Sequence, residues 1–155
     1  MITYGSEHEY AGFWIRAGAS FIDGIIIIII TMPLMYMAYG DDYLYSEDIV
    51  LGLSDVVLNY VFPLCATIAF WVYKSATPGK MAIKATVVDA KTGNSLTVKQ
   101  SIIRYLGYFV STIPLGLGIF WVGWDSKKQG WHDKLAGTVV IRPRNKGVEK
   151  VSFGN

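Results

Sequence analysis

Two charged residues within one long apolar stretch are the strongest candidates for chemistry in this chain. Asp23 lies near the middle of the stretch 13–39 and Arg16 near its start, and an unbroken run of isoleucine follows at 25–30. A charged side chain at the centre of a bilayer costs at least ~2.5 kcal/mol. Such a side chain is expected to face protein or water, so Asp23 is a candidate functional residue.

The spacing around Asp23 predicts a packing face. Gly12, Arg16, Ala19 and Asp23 recur at helical intervals and share one side of a helix. Small residues let another element approach closely. Arg16 lies about 10 Å from Asp23 along the axis and leans towards the cytoplasmic interface. The two cannot easily neutralise each other, so each needs a partner elsewhere.

Candidate partners come later in the chain. Arg104, at the start of the third apolar stretch, is the first candidate partner for Asp23, and an acid from the tail could meet Arg16. Asp133 is such an acid. Its residue type fits a turn or helix cap, and equally an ion pair with Arg16 or Arg104.

Two further tail residues could take part. His132 is either an interfacial residue that hydrogen-bonds backbone, or a proton-exchanging group, because histidine titrates near neutrality. Asp125 lies seven residues earlier and is a further candidate for pairing.

Other kinds of site find no support in the sequence. The chain has two histidines and a single cysteine, Cys65, without the ligand spacing of a zinc site. No glycine-flanked serine elbow is present, and the segment 77–80 (TPGK) lacks the upstream glycine of a phosphate-binding loop. We expect no metal, no cofactor and no enzymatic activity.

The composition indicates a membrane protein. Hydrophobic residues make up 52% of the 155 residues and charged residues 17%, against about 25% charged in soluble domains. The apolar residues form long blocks, so membrane lipid is the expected partner. The predicted fold is one α-helical membrane domain, 1–155, with transmembrane helices at 13–39 and 49–73 and a third membrane segment at 102–124.

The charge distribution predicts the orientation. Thirteen of the fourteen Lys and Arg residues follow residue 73, whereas eight of the twelve acids precede residue 56. The positive-inside rule places the acidic linker 40–48 outside and both termini on the cytoplasmic side of the membrane. The basic residues flank apolar blocks, so nucleic-acid binding is not expected.

The third apolar segment, 102–124, contains a break at Pro114, Gly116 and Gly118. A single crossing would place the basic tail, 125–155, outside. A re-entrant hairpin keeps the tail in the cytoplasm and is tolerated where protein covers the break. We favour re-entry, and a simple crossing is the alternative.

Strand spacing appears between the membrane segments. Apolar residues alternate at 83, 85 and 87, and the turn signal 91–94 could return the chain through 95–98. This predicts a cytoplasmic β-hairpin over 81–98. The β-branched run 138–141 could add a third strand, since a lone hairpin is marginal.

At these residues the chain resembles the RDD family of small bacterial membrane proteins. The resemblance covers about residues 10–142 and rests on the segments 11–16, 22–23, 77–80, 87–89 and 129–140. The family is named for one arginine and two aspartates, which the resemblance maps onto Arg16, Asp23 and Asp133.

The resemblance implies a protein of the bacterial inner membrane. Transport has been proposed for the family, and cation/proton exchange is claimed for some members. The expected function is transport of a small ion or solute by a homo-oligomer or a larger membrane complex, since three membrane segments are too few to enclose a pathway. The alternative is a non-transporting accessory or scaffold subunit, in which Arg16, Asp23 and Asp133 form a buried polar lock.

Overall fold

The chain is mostly helical in the computed structural model, which describes residues 7–144. Two long apolar helices and a small three-stranded antiparallel sheet make up most of this part. The end of the predicted tail, 145–155, and the first six residues of the predicted domain lie outside the described residues.

The first long helix, α1, spans Phe13–Tyr39, and the helix predicted over 13–39 is confirmed. Pro33 lies inside it without ending it. The helix stops at Gly40, whose φ of 58° suits glycine and whose N–H donates to the Tyr36 carbonyl at 2.8 Å. A short helix, α2, follows at Asp42–Tyr45 in the acidic linker.

The second long helix, Leu53–Lys74, begins four residues later than the predicted start at 49. It consists of α3 (Leu53–Asp55), a π-helical segment (Val56–Val61) and α4 (Phe62–Lys74). Pro63 explains the π-helical segment, because its ring clashes with the carbonyl four residues earlier and it has no N–H to donate.

The two long helices run antiparallel, as contacts at both ends show. At one end the Asp55 backbone N–H donates to the Tyr39 hydroxyl at 3.2 Å. At the other end the Thr77 hydroxyl, just beyond the second helix, donates to Asp23 at 2.5 Å. Both helices are long and apolar enough to cross a bilayer.

The third apolar segment is bent. Helix α6 spans Val98–Thr112. After a break of four residues, α7 (Leu117–Phe120) continues into a 3₁₀ turn, Trp121–Gly123. The segment 117–123 is bent by 113° relative to α6. The break lies where the sequence predicted it. If the bent pair counts as one span, the described residues contain three candidate membrane segments.

The sheet has the strand order β1-β3-β2, with both pairs antiparallel. Its strands are β1 (His8–Tyr10), β2 (Thr86–Asp89) and β3 (Thr138–Pro143). The β-branched run 138–141 therefore is a strand and pairs with the middle segment as expected. The N-terminal strand β1 was not predicted.

The β-hairpin predicted over 81–98 is wrong. Its first residues belong to a short helix, α5 (Pro78–Ala82), and only β2 is a strand. The second predicted strand is replaced by the start of α6, where Thr97 and Gln100 form a capping box. Because the capping box satisfies the free N–H groups of the helix start, the segment 95–98 leads into the helix.

The hydrophobic core lies on both faces of β3. Val140 packs with Trp71, Val87 and other buried side chains on one face, while Val139 and Ile141 pack with Val88 on the other. This alternation follows the two-residue period of a strand. The sheet thereby connects the ends of α1, α4 and α8 (Trp131–Ala136), which carry the candidate site.

Candidate functional site

The predicted packing face of α1 meets α5 at very close range. A Cβ atom added to Gly79 would lie 2.0 Å from the Ala19 carbonyl oxygen and 2.9 Å from Asp23 Cγ. Ala19 itself is fully buried. Only glycine at position 79 allows this approach, so the small-residue stripe on α1 receives the loop that ends the second long helix.

That loop supplies the partners of Asp23. The Thr77 hydroxyl donates to Asp23 Oδ2 at 2.5 Å, and the Gly79 backbone N–H donates to Oδ1 at 2.7 Å. Arg104, the candidate partner from the sequence, pairs elsewhere, so that pairing prediction is wrong. The physical reason is that Arg104 is held by Asp133 and Thr138, whereas the half-buried Asp23 lies against the loop whose donors it accepts.

Arg104 instead belongs to a charge cluster formed by Arg16, Arg104, His132 and Asp133. Asp133 receives Arg16 Nη2 on Oδ2 at 2.6 Å and Arg104 Nη2 on Oδ1 at 2.8 Å. The hydrogen-bond geometry of the Arg104 contact is poor, so we treat it as an ion pair. Asp133 is fully buried and Arg16 is 8% exposed.

Asp133 therefore combines the two roles that the sequence left open. It pairs with both arginines, and its Oδ2 also accepts the Gly130 N–H at 2.9 Å at the start of α8. Burial opposes its ionisation, but the guanidiniums of Arg104 and Arg16 outweigh burial and hold the pKa of Asp133 well below its ordinary value. The carboxylate is charged throughout the physiological pH range.

His132 is neutral in this cluster. Its Nε2 lies 2.9 Å from Arg16 Nη2, and because a guanidinium can only donate, Nε2 must accept. Its Nδ1 lies 3.3 Å from Ser111 Oγ, and the Tyr108 ring stacks on the imidazole at 3.9 Å. Burial lowers the pKa of His132 to about 3. This environment disfavours proton exchange by His132 near neutral pH.

Each arginine makes a further bond, although Arg104 Nε has no hydrogen-bond partner among the described residues. Arg16 Nη1 donates to the Lys128 carbonyl at 2.8 Å, and Arg104 Nη1 donates to Thr138 Oγ1 at 2.9 Å. The Arg104 guanidinium also lies over the Trp71 ring, 5.1 Å from its centroid. The cluster thus links α1, α6, α8 and β3 through buried charges.

Asp125 lies outside the cluster. It forms an ion pair with Lys134 at 2.5 Å and accepts the backbone N–H groups of Lys127 and Gln129. These contacts close the turn before α8, which is a structural role.

Lys80 is a site residue that the sequence reasoning missed. It is only 4% exposed, and its ammonium forms a single long hydrogen bond among residues 7–144, to Thr77 Oγ1 at 3.4 Å. Burial lowers the pKa of Lys80 from its ordinary value, and the nearby Arg104 charge acts in the same direction. The sequence pattern around it predicts a turn, and no sequence signal marks the lysine, because its burial depends on how the loop with Gly79 packs against α1.

A cavity of about 540 Å³ opens beside Asp23 and Lys80. Helices α1, α4 and α6 form its walls, and the loop with Thr77 and Pro78 closes one end. Most of the lining is apolar, and isoleucines of the run 25–30 contribute three of the lining residues. Cavities of this volume accept small molecules.

This fold and site define a class of protein. Its members are helical, their apolar helices are long enough to cross a bilayer, and a buried Arg–Asp cluster joins the helices. The profile of the RDD family matches residues 10–137. The chain belongs to the RDD family, a family of bacterial membrane proteins.

Individual relatives extend this assignment. An uncharacterised protein of Rickettsia prowazekii is 49% identical over 69% of this chain and 58% of its own length. An uncharacterised membrane protein of Bacillus subtilis is 27% identical over 88% of this chain and 84% of its own length. The proline-rich antigen of Mycobacterium leprae is 33% identical over 59% of this chain, but only 34% of that protein is covered. No solved structure matches the chain.

Proposed function

We propose that the protein is a multi-pass protein of the bacterial inner membrane that transports a small ion or solute as a homo-oligomer or within a larger membrane complex. The cavity beside Asp23 and Lys80 carries this proposal. A cavity among apolar helices, with charged groups at one end, provides both a path into the bilayer region and groups that select a solute.

The charge distribution supports the orientation. The acidic linker follows α1, and the basic segment follows the second long helix, which by the positive-inside rule supports a cytoplasmic location of both termini. The 113° bend between α6 and α7 supports re-entry of the third segment. A single cysteine introduced at Lys127, in a Cys65→Ser background, would then react with an impermeant thiol reagent only from the cytoplasmic face. Labelling only from outside would contradict re-entry.

Exposed apolar surface supports assembly with further protein. Large side chains on both long helices face away from the chain, among them Ile28 at 58% and Ile29 at 66% exposed. Lipid covers such residues in a membrane, and Asp23 needs shielding from lipid on its open side. Neighbouring copies of the chain, or a larger partner, could provide that shielding.

Asp23 is the proposed exchange residue. In cation/proton exchange its carboxylate would alternate between a proton and a monovalent cation. The surroundings favour a solute over a bare cation, because Thr77, Gly79 and Lys80 present donors where a cation needs oxygen ligands. Among residues 7–144, no group of three or more Asp, Glu, His or Cys side chains could hold a metal ion.

Proteoliposomes with an entrapped pH indicator test the exchange. Proton movement driven by a sodium or potassium gradient, and lost in Asp23→Asn, is the result expected of cation/proton exchange. Asp41→Asn, in the exposed linker, is the matched control and should behave as the unaltered protein does. If neither cation gradient drives proton movement, cation/proton exchange is excluded and transport of a solute remains the proposed function.

The charge cluster favours a second function, an accessory or scaffold subunit. Asp133 and both arginines are buried and paired with one another, as a polar lock between helices would be. Purification in gentle detergent discriminates the two functions. A homomeric assembly supports transport, whereas a stable complex with a larger unrelated protein, lost in Asp133→Asn, supports the accessory role.

A further inference from the structure

The cavity beside α1 has two chemically different ends. Because the two long helices run antiparallel, Asp23 on α1 and Trp71 on α4 lie at the same end, together with Thr77 and Lys80. We call these four residues the polar end. Ile30 and Phe62 line the opposite part.

The charges around the polar end do not balance. Three buried cations, Arg16, Lys80 and Arg104, accompany two carboxylates, Asp23 and Asp133. His132 adds no charge, since its Nε2 accepts from Arg16. Both arginines are paired with Asp133. Asp23, linked to Lys80 through Thr77, is the carboxylate left for Lys80, so the excess of one positive charge is spread over the three cations. Of these three, Lys80 lines the cavity, so an anionic ligand could reach the excess charge there, and an unbalanced buried charge is costly.

The polar end also has more donors than acceptors. An ammonium can donate three hydrogen bonds, yet Lys80 makes one long bond of 3.4 Å among the described residues. The indole Nε1 of Trp71, a residue only 1% exposed, has no hydrogen-bond partner in the described part of the chain. Asp23 accepts from Thr77 and Gly79, and among the described residues no direct hydrogen bond joins it to Lys80 or Trp71. A bound acceptor with negative charge would supply the hydrogen bonds that the Lys80 ammonium lacks.

The rest of the cavity suits a hydrocarbon chain. Its lining beyond the polar end is mainly aliphatic and aromatic, including Ile27, Ile30, Phe62 and Ala66. Beyond the polar end, the lining on α1 continues from Asp23 to Ile30, about 10 Å along the axis at ~1.5 Å per residue. A small hydrophilic solute would leave most of this apolar wall unsatisfied, whereas an acyl chain would fill it.

We infer that the cavity binds an amphiphile with an anionic head group, carboxylate or phosphate, placing the head group against Lys80 and an acyl chain between α1, α4 and α6. This inference rests on the proposed function in that it names the solute class for the same cavity. The ligand could be a free fatty acid or one chain of an anionic phospholipid, which share this chemistry.

Native mass spectrometry of the purified full chain in maltoside detergent tests the inference, with palmitate as the probe. The unaltered protein should retain palmitate at least tenfold more tightly than hexadecanol or hexadecyltrimethylammonium, which have the same chain but a neutral or cationic head group. Equal retention of the three, or none of palmitate, overturns the inference without any variant.

Variants then locate the site. Lys80→Met, which keeps the aliphatic stem, should weaken palmitate binding at least tenfold, while Lys99→Met at an exposed position of α6 should not. Ile27→Trp fills the cavity and should abolish binding, whereas Ile28→Trp on the exposed side of α1 should leave it intact. Gel filtration confirms that each variant is folded. Binding that survives both Lys80→Met and Ile27→Trp overturns the inference.

Added phosphatidylglycerol distinguishes the two sources. Displacement of palmitate assigns the site to a chain of an anionic phospholipid, and lack of displacement assigns it to a free fatty acid. Both results support an anionic amphiphile. Because this assay uses no ion gradient, its failure leaves the vesicle test of Asp23 unaffected, and failure of that test leaves this one unaffected.

Discussion

The charge cluster and the polar end of the cavity contain the same kinds of side chain in opposite situations. In the charge cluster, Asp133 is shared between two arginines and its buried oxygens face cations. At the polar end, Lys80 has one long hydrogen bond and faces open volume. A buried carboxylate shared between two cations holds elements together, whereas an ammonium with one long hydrogen bond beside a cavity is available to a ligand.

The comparison also separates two aspartates that the sequence treats alike. Asp133 is inaccessible and has structural partners on α1 and α6. Asp23 is half-buried, lines the cavity and is held by Thr77 and Gly79. We therefore expect changes at Asp133 to act on folding, and changes around Asp23 to act on binding or transport.

Asp133→Asn should give the largest effect. The substitution leaves Arg16 and Arg104 buried without a counter-charge, and breaking a buried pair costs ~3–5 kcal/mol. Thermal unfolding in detergent should show a large fall in Tm, or no folded protein. Asp125→Asn, which disrupts only a partly exposed ion pair with Lys134, is the control and should change little. Equal melting of the two variants would contradict a structural charge cluster.

The pH dependence of unfolding should report His132. Its folded pKa is about 3, below the ordinary 6.5, so the unfolded state binds the proton between these values. Stability is therefore complete above pH 6.5 and falls as the pH drops towards 3, by at most about 1.4 kcal/mol per unit. Melting curves between pH 6.5 and 4 should show this slope.

One variant isolates the slope. His132→Gln keeps an acceptor for Arg16 but does not titrate, so its stability should depend less on pH in this window. The comparison is clearest between pH 6.5 and 5, because the pKa of Asp133 is 3.8 in the unfolded state and lower in the folded state, so Asp133 contributes little there. Identical slopes in His132→Gln and the unaltered protein would exclude His132 as the source.

Gly79→Ala should destabilise by ~1–3 kcal/mol, as overpacking does. The added methyl group would meet the Ala19 carbonyl and Asp23 Cγ, so the loop must move away from the carboxylate. Gly18→Ala is the matched control on the exposed side of α1, where nothing lies within 4 Å. That change should be neutral or stabilising, because alanine favours helix over glycine. If Gly79→Ala and Gly18→Ala have similar free energies of unfolding, the close approach of the loop to α1 does not contribute to stability.

Lys80→Met should have the smallest effect on stability and thereby sharpen the contrast. Removing an underpaired ammonium relieves its repulsion with Arg104, so we expect a change within ~1 kcal/mol of zero. The same variant should lose palmitate binding. If Lys80→Met unfolds as readily as Asp133→Asn, the polar end is structural too, and the distinction between the two regions fails.

Much of the fold was predictable because it depends on local pattern. The apolar stretch 13–39 is long enough to cross a bilayer and forms α1, and Pro114 with its neighbouring glycines ends α6. The run 138–141 needed strand partners and found them. The hairpin prediction failed because alternation at 83–87 was extended across Thr97, a helix cap whose capping-box signal was present in the sequence.

The sequence predicted which charged residues form the site better than it predicted which of them pair with one another. Arg16, Arg104 and Asp133 were all candidates, and Asp133 was an expected partner for either arginine. The error was to assign Arg104 to Asp23, since sequence spacing says nothing about distances between helices. Lys80 escaped notice because its burial depends on the loop passing over α1.

By itself, the sequence determined the apolar lengths, the charge asymmetry and the presence of an aspartate that lipid cannot solvate, since these follow from residue types counted along the chain. Only the tertiary structure decided that Asp133 takes both arginines, that backbone and hydroxyl donors take Asp23, and that Lys80 faces a cavity. The reason is that pairing energy depends on distance and burial, which residues far apart in sequence acquire only when the helices pack.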